Sequence, residues 1–202
     1  MSRVVGILLA AGAGRRFGGS KLLAPLPDGE PIGLRSARVL IAAGIGTVVV
    51  TRPGDRALAE MMRLAGADVV ENPAPDQGIG LSIATGVAAA KDADAWVIAL
   101  ADMPWIQPRT VRRVLAALEA GTRICAPSLD GRRGHPVGFA GHYREQLLGL
   151  TGEAGARRII AAAADRLLLI PTDDAGILLD VDVPEDLHPV PGGSRASSAV
   201  LG

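Results

Sequence analysis

The stretch Leu9 to Lys21, LAAGAGRRFGGSK, gathers Gly12, Gly14, Gly18 and Gly19, the adjacent Arg15 and Arg16, and a closing Lys21. Glycines let a backbone turn sharply and bring its N–H groups close to an anion, while Arg offers a flat fork of donors and Lys a mobile point charge. Both kinds of contact suit a triphosphate. Two familiar phosphate loops do not fit. A Walker A loop needs Lys directly after its second spaced glycine and Ser or Thr directly after that Lys, whereas here Ser20 precedes Lys21 and Leu22 follows it. The dinucleotide fingerprint needs glycines at its first, third and sixth places, and the sixth place counted from Gly12 is Phe17. That mismatch also disfavours a nicotinamide-dependent reductase.

Carboxylates form the second group. Asp102 follows the apolar run Ala95 to Ala101 and precedes Met103-Pro104. An acid at the C-terminal end of a parallel strand faces the crevice where open α/β sheets bind ligands. Mg²⁺ takes hard oxygen ligands, usually one or two carboxylates together with substrate phosphates and water. Asp102 is therefore a candidate magnesium ligand; the competing reading is a turn Asp capping a helix that starts near Gln107. Asp180 and Asp182 flank Val181, and in an alternating strand they share one face. Asp182 is the preferred second ligand and Asp180 the reserve, with a helix N-cap ahead of Glu185 as the alternative role for Asp182.

These groups need a scaffold, and the chain of 202 residues suffices for one domain with a sizeable core. Hydrophobic residues make up 49% and aromatic ones 2%, so the core must be aliphatic. The 21 basic and 21 acidic residues cancel, which argues against a nonspecific nucleic-acid binder. A single cysteine, Cys125, cannot form an internal disulfide and reads as a buried packing residue in a reducing compartment. The apolar start carries only Arg3 as an early basic residue and runs into the glycine loop instead of a cleavage site. With no apolar run long enough to span a membrane, a cytoplasmic protein with neither membrane nor nucleic-acid partner is expected.

Val4 to Ala10, apolar on both faces, reads as a buried parallel strand. Leu22 to Gly33, with three prolines and Asp28-Gly29, reads as loop, and Leu34 to Ala43 as a helix stopped by Gly44. Strands at Thr47 to Thr51 and Asp68 to Glu71 bracket a helix at Arg56 to Ala65. Helices are expected at Leu81 to Ala90, Arg109 to Ala120, Tyr143 to Leu150 and Gly155 to Ala164. Further strands are expected at Ala95 to Ala101, Arg123 to Pro127, from Pro136, and at Leu167 to Ile170. Such alternation implies α/β architecture with a mostly parallel central sheet, right-handed crossovers and helices on both faces. One domain over residues 1–190 and a disordered tail over 191–202 are expected.

The glycine stretch resembles the signature loop of the Rossmann-like nucleotidyltransferases, LAAG or LAGG, then x-G-x-R-x-G, then Lys. Within that superfamily the chain resembles the molybdenum cofactor cytidylyltransferase group. Asn72, Pro73, Gly78 and Ser82 match its N-P-x-x-x-x-G-x-x-x-S pattern; Arg133, Gly134, His135, Pro136 and Val137 match R-G-H-P-V; and Asp180 to Leu187 matches D-x-D-T-P-E-D-L, with Val183 in place of the usual Thr. The resemblance implies a Mg²⁺-dependent transfer of CMP from CTP to the phosphate of a molybdopterin-type acceptor, with a molybdenum hydroxylase as a candidate recipient of the product. It implies nucleotide contacts from Leu9, Ala10, Ala11, Gly12, Gly14, Arg16, Lys21, Gly78 and Ser82, and metal ligation by Asp102 and Asp182. Arg16, Lys21 and Asp102 take the catalytic roles, and Arg133 and His135 face the acceptor. The bland alternatives are a Ser82 that bonds its own helix and a structural His135 at a strand entrance. Ala11 matches the cytidylyl-transferring group, whereas guanylyl-transferring relatives usually have Gly there, and the extra methyl narrows the space for a purine.

Overall fold

A computed structural model describes residues 3–14 and 16–188 of the chain. It opens with β1 (Val4–Ala10), buried at every position after Val4 because it lies between two parallel neighbours and under helices on both faces. The 3₁₀ turn Lys21–Leu23 interrupts the expected loop, and α1 (Ile32–Ala42) starts directly after Pro31, two residues earlier than the apolar spacing suggests. β2 (Gly46–Thr51), α2 (Arg56–Leu64) and β3 (Asp68–Glu71) follow. Asp55 caps α2 by accepting from the Leu58 N–H at 3.3 Å, satisfying one of the helix's free donors. Next come α3 (Ile79–Ala89), β4 (Ala95–Leu100) and α4 (Pro108–Glu119), whose buried Val111, Val114, Leu115 and Leu118 follow the helical repeat.

The second half is less regular. A hairpin joins β5 (Ile124–Leu129) to β6 (Arg132–Arg133), turning at Asp130-Gly131 with both residues at positive φ. After β7 (Val137–Ala140), α5 (Arg144–Leu148) and α6 (Arg157–Ala162), β8 (Leu167–Pro171) completes the sheet. The two short helices are trimmed at both ends relative to expectation. Residues 179–183 form no strand: Asp180 and Asp182 lie in irregular chain between 3₁₀ turns at Ala175–Leu178 and Pro184–Leu187. The two-residue alternation expected there is therefore corrected: the backbone N–H groups of 181–183 bond the Asp102 carbonyl and the Asp186 carboxylate instead of a strand.

The eight-stranded sheet runs β3-β2-β1-β4-β7-β5-β6, with β8 also paired to β5. β3, β2, β1 and β4 are mutually parallel, and β7 enters antiparallel between β4 and β5, so the sheet is mixed but mostly parallel. α1 packs with α2 and α4, and α3 with α5, covering both faces. Among the described residues the core is aliphatic around three aromatic side chains, Trp96, Phe139 and Tyr143, the first two fully buried. Removing a central side chain such as that of Leu8, which is 0% exposed, would cost about 2–5 kcal/mol. Cys125 is buried as expected, and desolvation pushes its thiol up to about 12, so it is no nucleophile. Among the described residues no helix is long and apolar enough to cross a membrane. The tail expected over 191–202 lies outside the described residues.

Candidate active site

Strand order fixes where the site can be. The chain builds outward from β1 through β2 to β3, then returns to place β4 on the other side of β1, so the carboxyl ends of β1 and β4 border the crevice at a topological switch point. β1 delivers the glycine loop there and β4 delivers Asp102. The loop folds on itself through Phe17 N–H to Gly14 O at 3.0 Å and Lys21 N–H to Gly19 O at 2.8 Å. These bonds aim Lys21 inward.

The Lys21 ammonium donates to Asp102 Oδ2 at 2.7 Å and to the Val181 carbonyl at 2.7 Å, and lies 3.7 Å from Asp182 Oδ1. Arg16 Nη1 donates to Asp182 Oδ2 at 3.1 Å from a largely exposed side chain. Val181 N–H donates to the Asp102 carbonyl at 2.9 Å, which draws the late acidic segment against the end of β4. Lys21, Asp102, Asp182 and Arg16 are thus brought together from three distant parts of the chain. Asp182 does not serve as a helix cap: Asp186 Oδ2 accepts from both the Asp182 and Val183 N–H groups at 3.0 Å, leaving the Asp182 carboxylate to the cations.

Two adjoining cavities flank this cluster. The smaller, about 210 Å³, is lined by Leu9, Ala10, Gly12, Gly14, Lys21 and Asp102 together with Arg52 and Asp55. The larger, about 490 Å³, is lined by Leu9, Ala11, Gly12, Gly78, Ser82, Asp102, Asp180 and Asp182, and also by Arg52, Asp76 and Glu153. Arg52 borders both. It donates to the Ala11 carbonyl at 3.2 Å and pairs with Asp76 at 3.0 Å, joining the glycine loop to the opposite wall. Arg52, Asp76 and Glu153 were missed by sequence reasoning. For Arg52 a signal existed, since it directly follows the parallel strand β2, much as Asp102 follows β4 with only Ala101 between.

The 72–82 wall explains its motif. Asn72, fully buried, accepts from the Ala74 N–H at 2.9 Å and donates to the Ser82 hydroxyl oxygen at 2.9 Å. Ser82 is therefore oriented by Asn72 rather than by its own helix, and it faces the larger cavity. Gly78 has φ +94°, and a Cβ there would lie 2.3 Å from the Gly152 carbonyl carbon. Only glycine permits that approach, through which Gly152 N–H reaches the Gln77 carbonyl and Gly80 N–H the Gly152 carbonyl, both at 2.9 Å. Glu153 is brought to the cavity by this contact.

Arg133 and His135 do not line either cavity. His135 is 4% exposed, its backbone N–H donates to the Ile177 carbonyl at 3.0 Å, and among the described residues its Nδ1 has no partner. Burial first, and the nearby Arg133 charge second, push its imidazole down to about 3, so the ring is neutral near pH 7. His135 is packed at a strand entrance, outside both cavities. Arg133 is half-buried; desolvation and, after it, repulsion from the Arg157 guanidinium lower its affinity for the proton. Two guanidinium groups are therefore held near each other beyond the main cleft.

The donor set fits a hard divalent cation. Asp102 and Asp182 converge on a single ammonium, and among the described residues no group of three His, Cys, Asp or Glu could hold a metal unaided. Two carboxylates would suit such a cation only where substrate phosphates and water supply the remaining oxygens.

A Rossmann-like crevice with glycine loop, cations and paired acids defines the class of enzyme, and the chain belongs to the family of MobA-like NTP transferase domains, whose model matches residues 6–167. It is a nucleotidyltransferase of that family, whose members use a divalent metal. It is 32% identical over 194 residues to the nicotine blue oxidoreductase of Paenarthrobacter nicotinovorans, covering 92% of this chain and 95% of that one. It is 28% identical over 195 residues to the molybdenum cofactor guanylyltransferase of Cupriavidus metallidurans, covering 92% and 93%. Among solved structures, Rv0371c from Mycobacterium tuberculosis superposes with a TM-score of 0.79 at 26% identity, over 92% of this chain and 95% of that one. The same protein has also been crystallised with manganese.

Proposed function

We propose that the protein transfers CMP from CTP to the phosphate of a molybdopterin-type acceptor and releases pyrophosphate. An oxygen of the acceptor phosphate forms a bond to the α-phosphorus while the bond from that phosphorus to the β-bridging oxygen breaks, the electron pair leaving with pyrophosphate. A phosphate monoester is already anionic near neutral pH, so no protein nucleophile is required. The chain's share is alignment and charge stabilisation.

One observation carries the reading: Lys21, Arg16, Asp102 and Asp182 meet at the carboxyl end of β1 and β4. The glycine loop would present backbone N–H groups to the triphosphate, with Lys21 and Arg16 turning from the carboxylates to the departing phosphates. Asp102 and Asp182 would hold Mg²⁺, which when bound supplies charge neutralisation and orientation of the phosphates. Arg52 stands where the two cavities meet and would contact the nucleotide from the opposite wall. Ser82 and Ala11, both on the larger cavity, would border the base, the Ala11 methyl favouring a pyrimidine. Arg133 with Arg157 would attract the acceptor's charge from outside the main cleft. Delivery of the product to a molybdenum hydroxylase fits an acceptor of this kind, and a non-catalytic role in handing over cofactor is the form the reading takes if CTP binds without turnover.

Pyrophosphate release measured with CTP, GTP, ATP and UTP, each with and without molybdopterin, tests the reading. Release confined to CTP plus molybdopterin is expected; equal release with GTP overturns the base assignment, and release with another phosphorylated acceptor alone overturns the acceptor. The similarity to the nicotine blue oxidoreductase favours a second reading, an oxidoreductase. Against it stand the missing third glycine of the dinucleotide fingerprint and the paired acids, and saturable binding of NADH in a fluorescence titration would decide for it.

A further inference from the structure

Asp174 borders neither cavity, yet it is 1% exposed and three donors converge on its carboxylate. Oδ2 accepts from the Gln107 N–H at 2.8 Å and from the Thr110 hydroxyl at 2.6 Å, and Oδ1 accepts from the Gly176 N–H at 3.0 Å. Gln107 and Thr110 open α4, just beyond the turn that carries Asp102. Gly176 opens the stretch that leads to Asp180 and Asp182. One buried carboxylate therefore grips both acid-bearing segments.

Those segments lie side by side along their length. At the cleft, Val181 N–H bonds the Asp102 carbonyl. Midway, the backbones press so closely that a Cβ at Gly176 would stand 2.2 Å from the Trp105 carbonyl oxygen. At the far end, Asp174 closes the pair. Neither segment is a strand or a long helix at that point, so no ladder of secondary-structure bonds fixes their register; the contacts just named do. Losing a carboxylate oxygen there would leave a buried donor without a partner, a penalty relieved only by sliding one segment along the other.

We propose that Asp174 is a positioning residue for the metal centre, setting the separation of Asp102 from Asp182 through the two segments it joins. The inference rests on the reading of Asp102 and Asp182 as the metal's ligands. Groups bonded directly to metal ligands are worth about 10–100-fold in metal affinity, and Asp174, which bonds neither ligand side chain, should fall at the low end of that range. The test is Mn²⁺ binding followed by electron paramagnetic resonance on protein saturated with a non-hydrolysable CTP analogue, beside CTP binding measured without metal. Asp174→Asn should weaken Mn²⁺ about tenfold and Thr110→Val measurably but less, with metal-free CTP binding unchanged. Mn²⁺ binding as tight as wild type in both variants, with only a lowered Tm, makes Asp174 a structural residue and overturns the proposal. If Asp174→Asn does not fold, Thr110→Val decides. Failure of the wild-type complex to bind Mn²⁺ at all would overturn the metal reading itself, and so is distinguishable from failure of the inference alone.

Discussion

Replacing Lys21 by Met keeps an unbranched stem and removes the ammonium that lies 2.7 Å from Asp102 Oδ2 and 3.7 Å from Asp182 Oδ1. That ammonium competes with a divalent cation for the same two carboxylates, and in turnover it would serve the leaving phosphates. The substitution should therefore move metal binding and catalysis in opposite directions. At an effective dielectric constant near 20, two unit charges about 4 Å apart interact by about 4 kcal/mol. The carboxylates keep side-chain exposures of 26% and 36%, so solvent screening halves the figure to about 2 kcal/mol, or roughly thirtyfold. Lys21→Met should bind Mn²⁺ without nucleotide roughly thirtyfold more tightly, while pyrophosphate release falls by about 10²–10³, as when one preorganised charge-stabilising donor is lost. Equilibrium dialysis with Mn²⁺ and a coupled phosphate assay read the two effects on one preparation. Unchanged turnover would refute the role of Lys21 in catalysis, and unchanged Mn²⁺ affinity would refute its competition for the carboxylates.

Asp102→Ala should abolish measurable pyrophosphate release while circular dichroism stays native, because the side chain sits at the cleft with a quarter of its surface in solvent; activity above a hundredth of wild type would contradict a metal-binding role. Ala11→Gly should shift the ratio of kcat/KM for CTP over GTP toward GTP by about tenfold, the low end of what one methyl group is worth in a pocket; an unchanged ratio removes Ala11 from base selection. His135 gives a pH signature of known sign: the folded imidazole is held down at about 3 while the unfolded one titrates near 6.5, so the unfolded chain binds more protons and stability is lost as pH falls from 6.5 toward 3. Denaturant midpoints at pH 7, 5 and 4 should fall less steeply in His135→Gln than in wild type, and parallel slopes would show that His135 contributes nothing to the loss.

How much was legible follows from where the information lies. The first half is carried by local pattern: an apolar run buried on both faces reads as β1, glycines after it read as an anion loop, and a carboxylate after β4 reads as a cleft residue, because a parallel strand can only present its C-terminal end to the crevice. Asp182 was legible as a partner for Asp102, but for the wrong geometrical reason. Strand alternation suggests the pairing, whereas the segment is irregular and is fixed by Asp186 on one side and the Asp102 carbonyl on the other. The packing of His135 is not written in its local pattern, because Ile177, whose carbonyl accepts its N–H, meets it only after folding. The same holds for Glu153, which reaches the cavity only because Gly78 and Gly152 touch. Strand ends announce themselves locally, while loops that touch other loops are specified by both partners at once, and a single stretch of sequence states only half of such a contact. Asp174 is the sharpest case: a second acidic residue in an unremarkable Asp173-Asp174 pair, it joins the two carboxylate-bearing segments through donors that lie about seventy residues away along the chain, at Gln107 and Thr110.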